Sequence, residues 1–165
     1  GIIGGRTAER FDPDATMSRA EYAAIVTRAL GLPQKTSSVF TDVRPSAWYA
    51  AAIGTAYHYQ LVSGVSATSF LPEGTITRQE AAVMTARAAK LAGMDTAMQD
   101  FAVRNTLAQF DDYRDVADWA GPMLAFCYAE GILDSAAMTI RPRDAVLRCE
   151  VAEMLYNMLD KVDLL

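Results

Sequence analysis

Residues 11–30 read FDPDATMSRAEYAAIVTRAL, and the same pattern returns twice more in the chain. It aligns without gaps to FLPEGTITRQEAAVMTARAA (70–89) and to IRPRDAVLRCEVAEMLYNML (140–159). In each copy an apolar residue stands two before a proline: Phe11 and Pro13, Phe70 and Pro72, Ile140 and Pro142. Six residues after the proline comes an arginine, Arg19, Arg78 or Arg148, and two further on a glutamate, Glu21, Glu80 or Glu150. A pattern that recurs in register marks a repeat architecture, in which each unit buries its apolar face only against its neighbours.

The copies read as helix starts. Ser18 and Thr77 precede the arginine and stand three before the glutamate, which makes S-x-x-E and T-x-x-E capping boxes. Leu147 replaces the hydroxyl in the third copy, so that box is expected to be broken. Behind each start an apolar stripe follows helical spacing: Tyr22, Ile25, Val26, Ala29 and Leu30, then Ala81, Met84, Thr85, Ala88 and Ala89, then Val151, Met154, Leu155, Met158 and Leu159. Gly31 and Gly93 fit helix stops.

A second block repeats as well. FTDVRPSAWYAAAIGTAYHYQLVSG (40–64) matches FDDYRDVADWAGPMLAFCYAEGILD (110–134) with one residue of slippage before the tryptophan. Phe40, Asp42 and Trp48 pair with Phe110, Asp112 and Trp119. This block predicts a front helix of about 13 residues starting near each tryptophan. The opening GIIGG corresponds to QLVSG (60–64), because Gly5 and Gly64 both lie six residues before the repeat's phenylalanine. The expected organisation is a partial repeat at 1–31 lacking its front helix, a second at 32–93, and a third at 94–165. An inserted segment at 94–109 carries an extra helix from Asp95 to about Leu107. The expected fold is all-α, a pseudo-threefold bundle of three helix–loop–helix units with little strand.

Composition agrees with a packed helical protein. The chain is 52% hydrophobic and alanine-rich, enough to bury a core. A net charge of −5 with no basic stripe argues against nucleic-acid binding. No run of about 18 apolar residues predicts membrane insertion, and no secretory leader is visible at the start. Cys127 and Cys149 are too few for a disulfide framework and read as small packed residues. Asp12 with Asp14, and Asp111, Asp112 and Asp115, lack EF-hand spacing and read as turn and cap residues, so no metal is expected. No phosphate loop, HExxH motif or nucleophile–base pair stands out, so the chain is expected to be neither an enzyme nor cofactor-dependent. His58, the lone histidine, reads as a surface or half-buried residue, and Trp48 and Trp119 as core or groove-lining residues, with core packing the default.

The arginine is the residue that capping does not explain, because a cation at a helix start opposes the macrodipole. Two readings stand. It forms a salt bridge to a neighbouring glutamate or to Asp42 or Asp112, or its guanidinium joins free backbone N–H groups at the helix N-terminus in an anion pocket.

The blocks together, F-x-D … W … then F-x-P … [IM]-[ST]-R-x-E, resemble the S-layer homology family. MSRAE (17–21) and ITRQE (76–80) lie close to its T-R-A-E signature, and LRCE (147–150) is a degraded copy. The resemblance implies a three-pronged helical bundle at the bacterial cell surface, outside the cell in the wall or S-layer. It implies non-covalent anchoring to secondary cell-wall polysaccharide associated with peptidoglycan, often through pyruvylated sugars held in grooves between repeats. Carried over by position, Arg19, Arg78 and Arg148 would meet the acidic group. Asp42, Asp112, Trp48, Trp119, Gly5 and Gly64 would shape the grooves. Gln60 stands where the family often has its first glycine, and Asp134–Ser135 where it has the second. The rival expectation is a protein–protein assembly scaffold without glycan binding, with self-association through the incomplete first repeat.

Overall fold

The computed structural model describes residues 3, 10–37 and 39–165; Gly5 and most of the opening segment lie outside them. Six helices make up the described chain: α1 (Arg19–Ala29), α2 (Ala50–His58), α3 (Arg78–Leu91), α4 (Asp100–Leu107), α5 (Gly121–Ala129) and α6 (Arg148–Lys161). A single 3-10 turn, Tyr113–Asp115, precedes α5. Extended pairing among the described residues is confined to isolated bridges.

Those bridges close a ring. Ser18 pairs with Thr75, Thr77 with Ala145, and Leu147 returns to Thr16. In repeat register these are the same two positions, each unit gripping the next. Three apolar residues, Met17, Ile76 and Val146, sit at the centre of the ring, each at most 1% exposed. They are linked by amide donation from Ile76 to the Met17 carbonyl (3.1 Å) and from Val146 to the Ile76 carbonyl (3.0 Å). The rear helices α1, α3 and α6 contact one another around this centre, α1 packs on α2, α3 packs on α5, and α4 leans on α5. The rear helix of one unit therefore packs on the front helix of the next. This is the all-α pseudo-threefold bundle that the repeats predict.

The apolar stripes are where the periodicity puts them. All five positions of α3 and of α6 are buried; on α1, Tyr22, Ile25 and Val26 are buried, while Ala29 and Leu30 are half-buried. The small residues of α3 let α5 come close enough for the Cys127 thiol to reach the Ala82 carbonyl (3.5 Å). Tyr22, fully buried, spends its hydroxyl on the Ala81 carbonyl (3.1 Å) and on Thr85 of α3, so a polar group in the core is satisfied. Both cysteines are free, and burial pushes the Cys127 thiol up to about 12.

Two expectations shift. The front helices have nine residues each rather than 13, because the tryptophan segments are turns: the Ala50 amide donates to Ala47, and the Ala120 amide to Ala117. The inserted helix begins at Asp100, because the Asp95 carboxylate takes the Ala97 amide (3.0 Å) and turns the chain there. Gln60 holds a left-handed backbone (φ 59°), as Gly131 does at the same register in the next unit (φ 69°). Gly31 and Gly93 also adopt positive φ just past α1 and α3, as helix stops do.

Candidate functional site

The capping boxes form as the sequence predicts in two units. Ser18 Oγ accepts the Glu21 amide (3.1 Å), and Glu21 returns to the Ser18 amide (2.7 Å). Thr77 and Glu80 repeat this pair. A leucine side chain offers no acceptor, so α6 keeps only the return bond, from the Leu147 amide to Glu150 (2.8 Å).

The next donors of each helix are also occupied, by the neighbouring unit. The Arg19 and Ala20 amides donate to the Gly74 and Pro72 carbonyls (2.8 and 3.0 Å). Arg78 and Gln79 do the same to Asp144 and Pro142, and Arg148 and Cys149 to Ala15 and Pro13. The first-turn amides are therefore not free to hold an anion, contrary to one of the two readings of the sequence.

The arginine side chains follow the same ring. Arg19 Nε donates to the Phe70 carbonyl (2.8 Å), Nη1 pairs with Glu80 Oε1 (2.6 Å), and Nη2 donates to the Ser63 carbonyl (2.9 Å). Its guanidinium also lies 4.9 Å from the Phe70 ring centre, a cation–π contact. Arg78 Nε reaches the Ile140 carbonyl (2.8 Å) and Nη1 reaches Glu150 (2.5 Å), while Arg148 Nε reaches the Phe11 carbonyl (3.0 Å). Each arginine thus reaches into another unit, and for Arg19 and Arg78 the ion-pair partner is the next unit's capping glutamate. A cation at a helix start is tolerated because that carboxylate and those carbonyls surround it. Arg19 and Arg148 are each only 4% exposed. Burial pulls the Arg19 guanidinium below its ordinary range, and Glu80 opposes that shift.

The aspartates act one step behind. Asp42 accepts the amides of Phe70 (2.9 Å) and Leu71 (2.8 Å) and the Ser69 hydroxyl (2.7 Å). Asp112 accepts the amides of Ile140 and Arg141, both at 2.7 Å. These bonds pin loops whose Leu71 and Arg141 hold left-handed backbones (φ 60° and 52°), and they orient the carbonyls to which Arg19 and Arg78 donate. Burial pushes the Asp42 carboxyl up, but the hydrogen bonds from Phe70, Ser69 and Leu71 together outweigh it, so the group lies below its usual range. A depressed folded-state value stabilises the fold above the ordinary aspartate range, near about 3.9, and that contribution disappears as pH falls through the folded value. The thermal midpoint is expected to drop on acidification from about pH 6 to about pH 3, and Asp42→Asn should flatten that part of the profile. Thermal melts of both proteins across the range measure it.

Gly64 is fixed by contact. A Cβ there would stand 2.3 Å from the Ser66 carbonyl oxygen, 2.5 Å from that of Ser69 and 2.6 Å from the Phe40 ring. Only glycine lets the 63–69 loop close so tightly, and that loop supplies the Ser63 carbonyl to Arg19.

Both tryptophans overturn the expectation of core burial: Trp48 is 66% exposed and Trp119 58% exposed. Each sits in a turn before its helix, so its ring escapes the helix–helix contact. Trp119 walls an open cleft of about 490 Å3 shared with Arg19, Ser63, Gly64, Glu80 and Arg87, floored by Val83 and Met84. This cleft joins three units: the arginine of the first, the loop and rear helix of the second, and the tryptophan of the third. Trp48 walls a separate cleft against Ala24 and Arg28 of α1. Of the residues expected to form a site, the structure brings Arg19, Gly64 and Trp119 together. Arg78, Arg148, Asp42, Asp112 and Trp48 lie elsewhere around the ring, and Gly5 is outside the described residues. Arg87, which the sequence reading missed, also lines this cleft. Its signal was available, because Arg28 and Arg87 each stand nine residues after a signature arginine.

The repeats that build this ring match a known family: the model for the S-layer homology domain matches residues 1–23 and 39–82. The chain belongs to the S-layer homology family. Relatives agree. A Surface-layer 125 kDa protein of Lysinibacillus sphaericus is 32% identical over 99% of this chain, which covers 13% of that protein. An Amylopullulanase of Thermoanaerobacterium thermosulfurigenes is also 32% identical, over 97% of this chain and 8% of its own length. A Cellulosome-anchoring protein of Acetivibrio thermocellus is 27% identical, over 92% of this chain and 34% of its own length. The chain thus spans between 8% and 34% of the length of these relatives. S-layer homology domains are non-catalytic anchoring modules, and family and relatives place this one outside the bacterial cell, at the wall or S-layer. No helix among the described residues is long and apolar enough to cross a membrane.

Proposed function

We propose that the chain anchors the protein that carries it to secondary cell-wall polysaccharide, holding an acidic, pyruvylated sugar in a cleft between repeats. The observation that carries this reading is the cleft beside Arg19, in which an exposed Trp119 ring faces cationic side chains across an apolar floor. A tryptophan exposed over an open cleft lacks the burial that ordinarily accounts for such a residue. It offers a flat apolar face for a sugar ring, and the Arg87 guanidinium in the same cleft suits a carboxylate.

A charge-assisted contact of this kind contributes about 1.5–3 kcal/mol, so one cleft binds weakly. Several contacts along a repeating polymer raise the effective concentration at each cleft and hold the protein at the wall. The net charge of −5 opposes an acidic polymer at long range, so attraction is local and salt weakens it.

Co-sedimentation with sacculi tests the reading. The protein is expected to pellet with sacculi that retain their polysaccharide and to stay in solution with sacculi stripped of it. Pelleting equally with both, or self-assembly in their absence, would favour the scaffold reading instead.

A further inference from the structure

Among the cations near the Trp119 cleft, Arg87 differs from the rest. Arg19 directs Nε, Nη1 and Nη2 into the protein and shares its charge with Glu80. That pair is neutral, so it leaves the cleft without net charge. Arg87 is half-buried, donates to the Ser63 hydroxyl (3.0 Å), and has no carboxylate partner among the described residues. Burial pulls its guanidinium below the ordinary range with no acid to offset it. A half-buried cation without a counter-charge is a costly arrangement unless something outside the chain supplies the charge. Arg87 also borders the neighbouring cleft lined by His58, Tyr59 and Lys90, so a chain-like ligand leaving Trp119 passes over it.

The third repeat carries a different residue at this position. Asn157 stands on α6 in the register of Arg87 and donates to the Ile132 carbonyl (3.1 Å). Glu153 takes the place of Val83, and Asp134–Ser135 that of Gly64. Around Arg78 the cation in the Arg87 register is absent, and Glu150 is shared between Arg78 and Arg141.

We propose that Arg87, nine positions after the signature arginine, is the cation that receives an acid in the cleft of Trp119. This rests on the reading of the protein as a binder of acidic glycan, and assigns the carboxylate to a residue outside the signature motif.

The test is calorimetric titration with a methyl hexopyranoside carrying a pyruvate ketal, and with the methyl ester of the same compound, which keeps the shape and removes the charge. The unaltered protein is expected to prefer the free acid. Arg87→Gln should lose tenfold or more of its affinity for the acid and bind acid and ester alike, and Arg87→Lys should recover part of the preference. Thermal melts of each variant separate this loss from unfolding. An Arg87→Gln protein that is folded and keeps the full preference overturns the assignment while leaving glycan anchoring intact. Failure of the unaltered protein to prefer the acid overturns both.

Discussion

Arg19→Ala is expected to destabilise the protein by about 3–5 kcal/mol, the range for removing one member of a buried ion pair. The substitution leaves the Glu80 carboxylate, 24% exposed, without its cation, and leaves the Phe70 and Ser63 carbonyls without a donor. It also cuts the charged link between the first and second units, whose remaining ties include the Tyr22 hydroxyl bonds, backbone bonds and core packing. For a chain of this size the melting midpoint should fall by on the order of 10 °C. Arg19→Lys keeps the charge but has no fork to reach three acceptors at once, and should fall between the two. Thermal or urea unfolding of the three proteins measures this. An unchanged midpoint for Arg19→Ala would mean that the bracket does not hold the bundle together. Because a large effect is expected, loss of wall binding in this variant says little about ligand contact.

Trp119→Ala separates the two roles from the other side. The ring is 58% exposed, so its removal should change stability by no more than about 0.5 kcal/mol. Binding to polysaccharide-bearing sacculi should nevertheless weaken by tenfold or more, because an aromatic platform in a cleft is the kind of residue that carries binding energy. Binding isotherms on sacculi, paired with thermal melts, test the claim. Unaltered binding by a folded Trp119→Ala protein would remove the cleft from the proposed site.

The bundle was legible because its signals are local and repeated. The S/T-x-x-E boxes, the helical stripes and the stops at Gly31 and Gly93 each depend on residues within a few positions, and three copies in register imply mutual packing. What was not legible depends on partners far along the chain. Nothing near Arg19 says that its carboxylate is Glu80 of the next unit rather than Glu21 of its own. Likewise, nothing local says that the backbone donors of α1 are taken by Gly74 and Pro72. Of the two readings of the tryptophans, core burial fails: a large apolar residue beside a helix start ordinarily packs inward, but the turns before α2 and α5 leave the rings facing solvent. Arg87 lies mid-helix on a face that reads as plain, and becomes distinct once Ser63 and Trp119 are placed beside it.

The most direct test of the central claim is binding of the intact chain to sacculi before and after the pyruvate ketals are removed by mild acid, with the glycan backbone left in place. Affinity is expected to fall by tenfold or more once the carboxylate is gone, and the salt sensitivity of binding should fall with it. Equal affinity for the two preparations would contradict recognition of an acidic sugar.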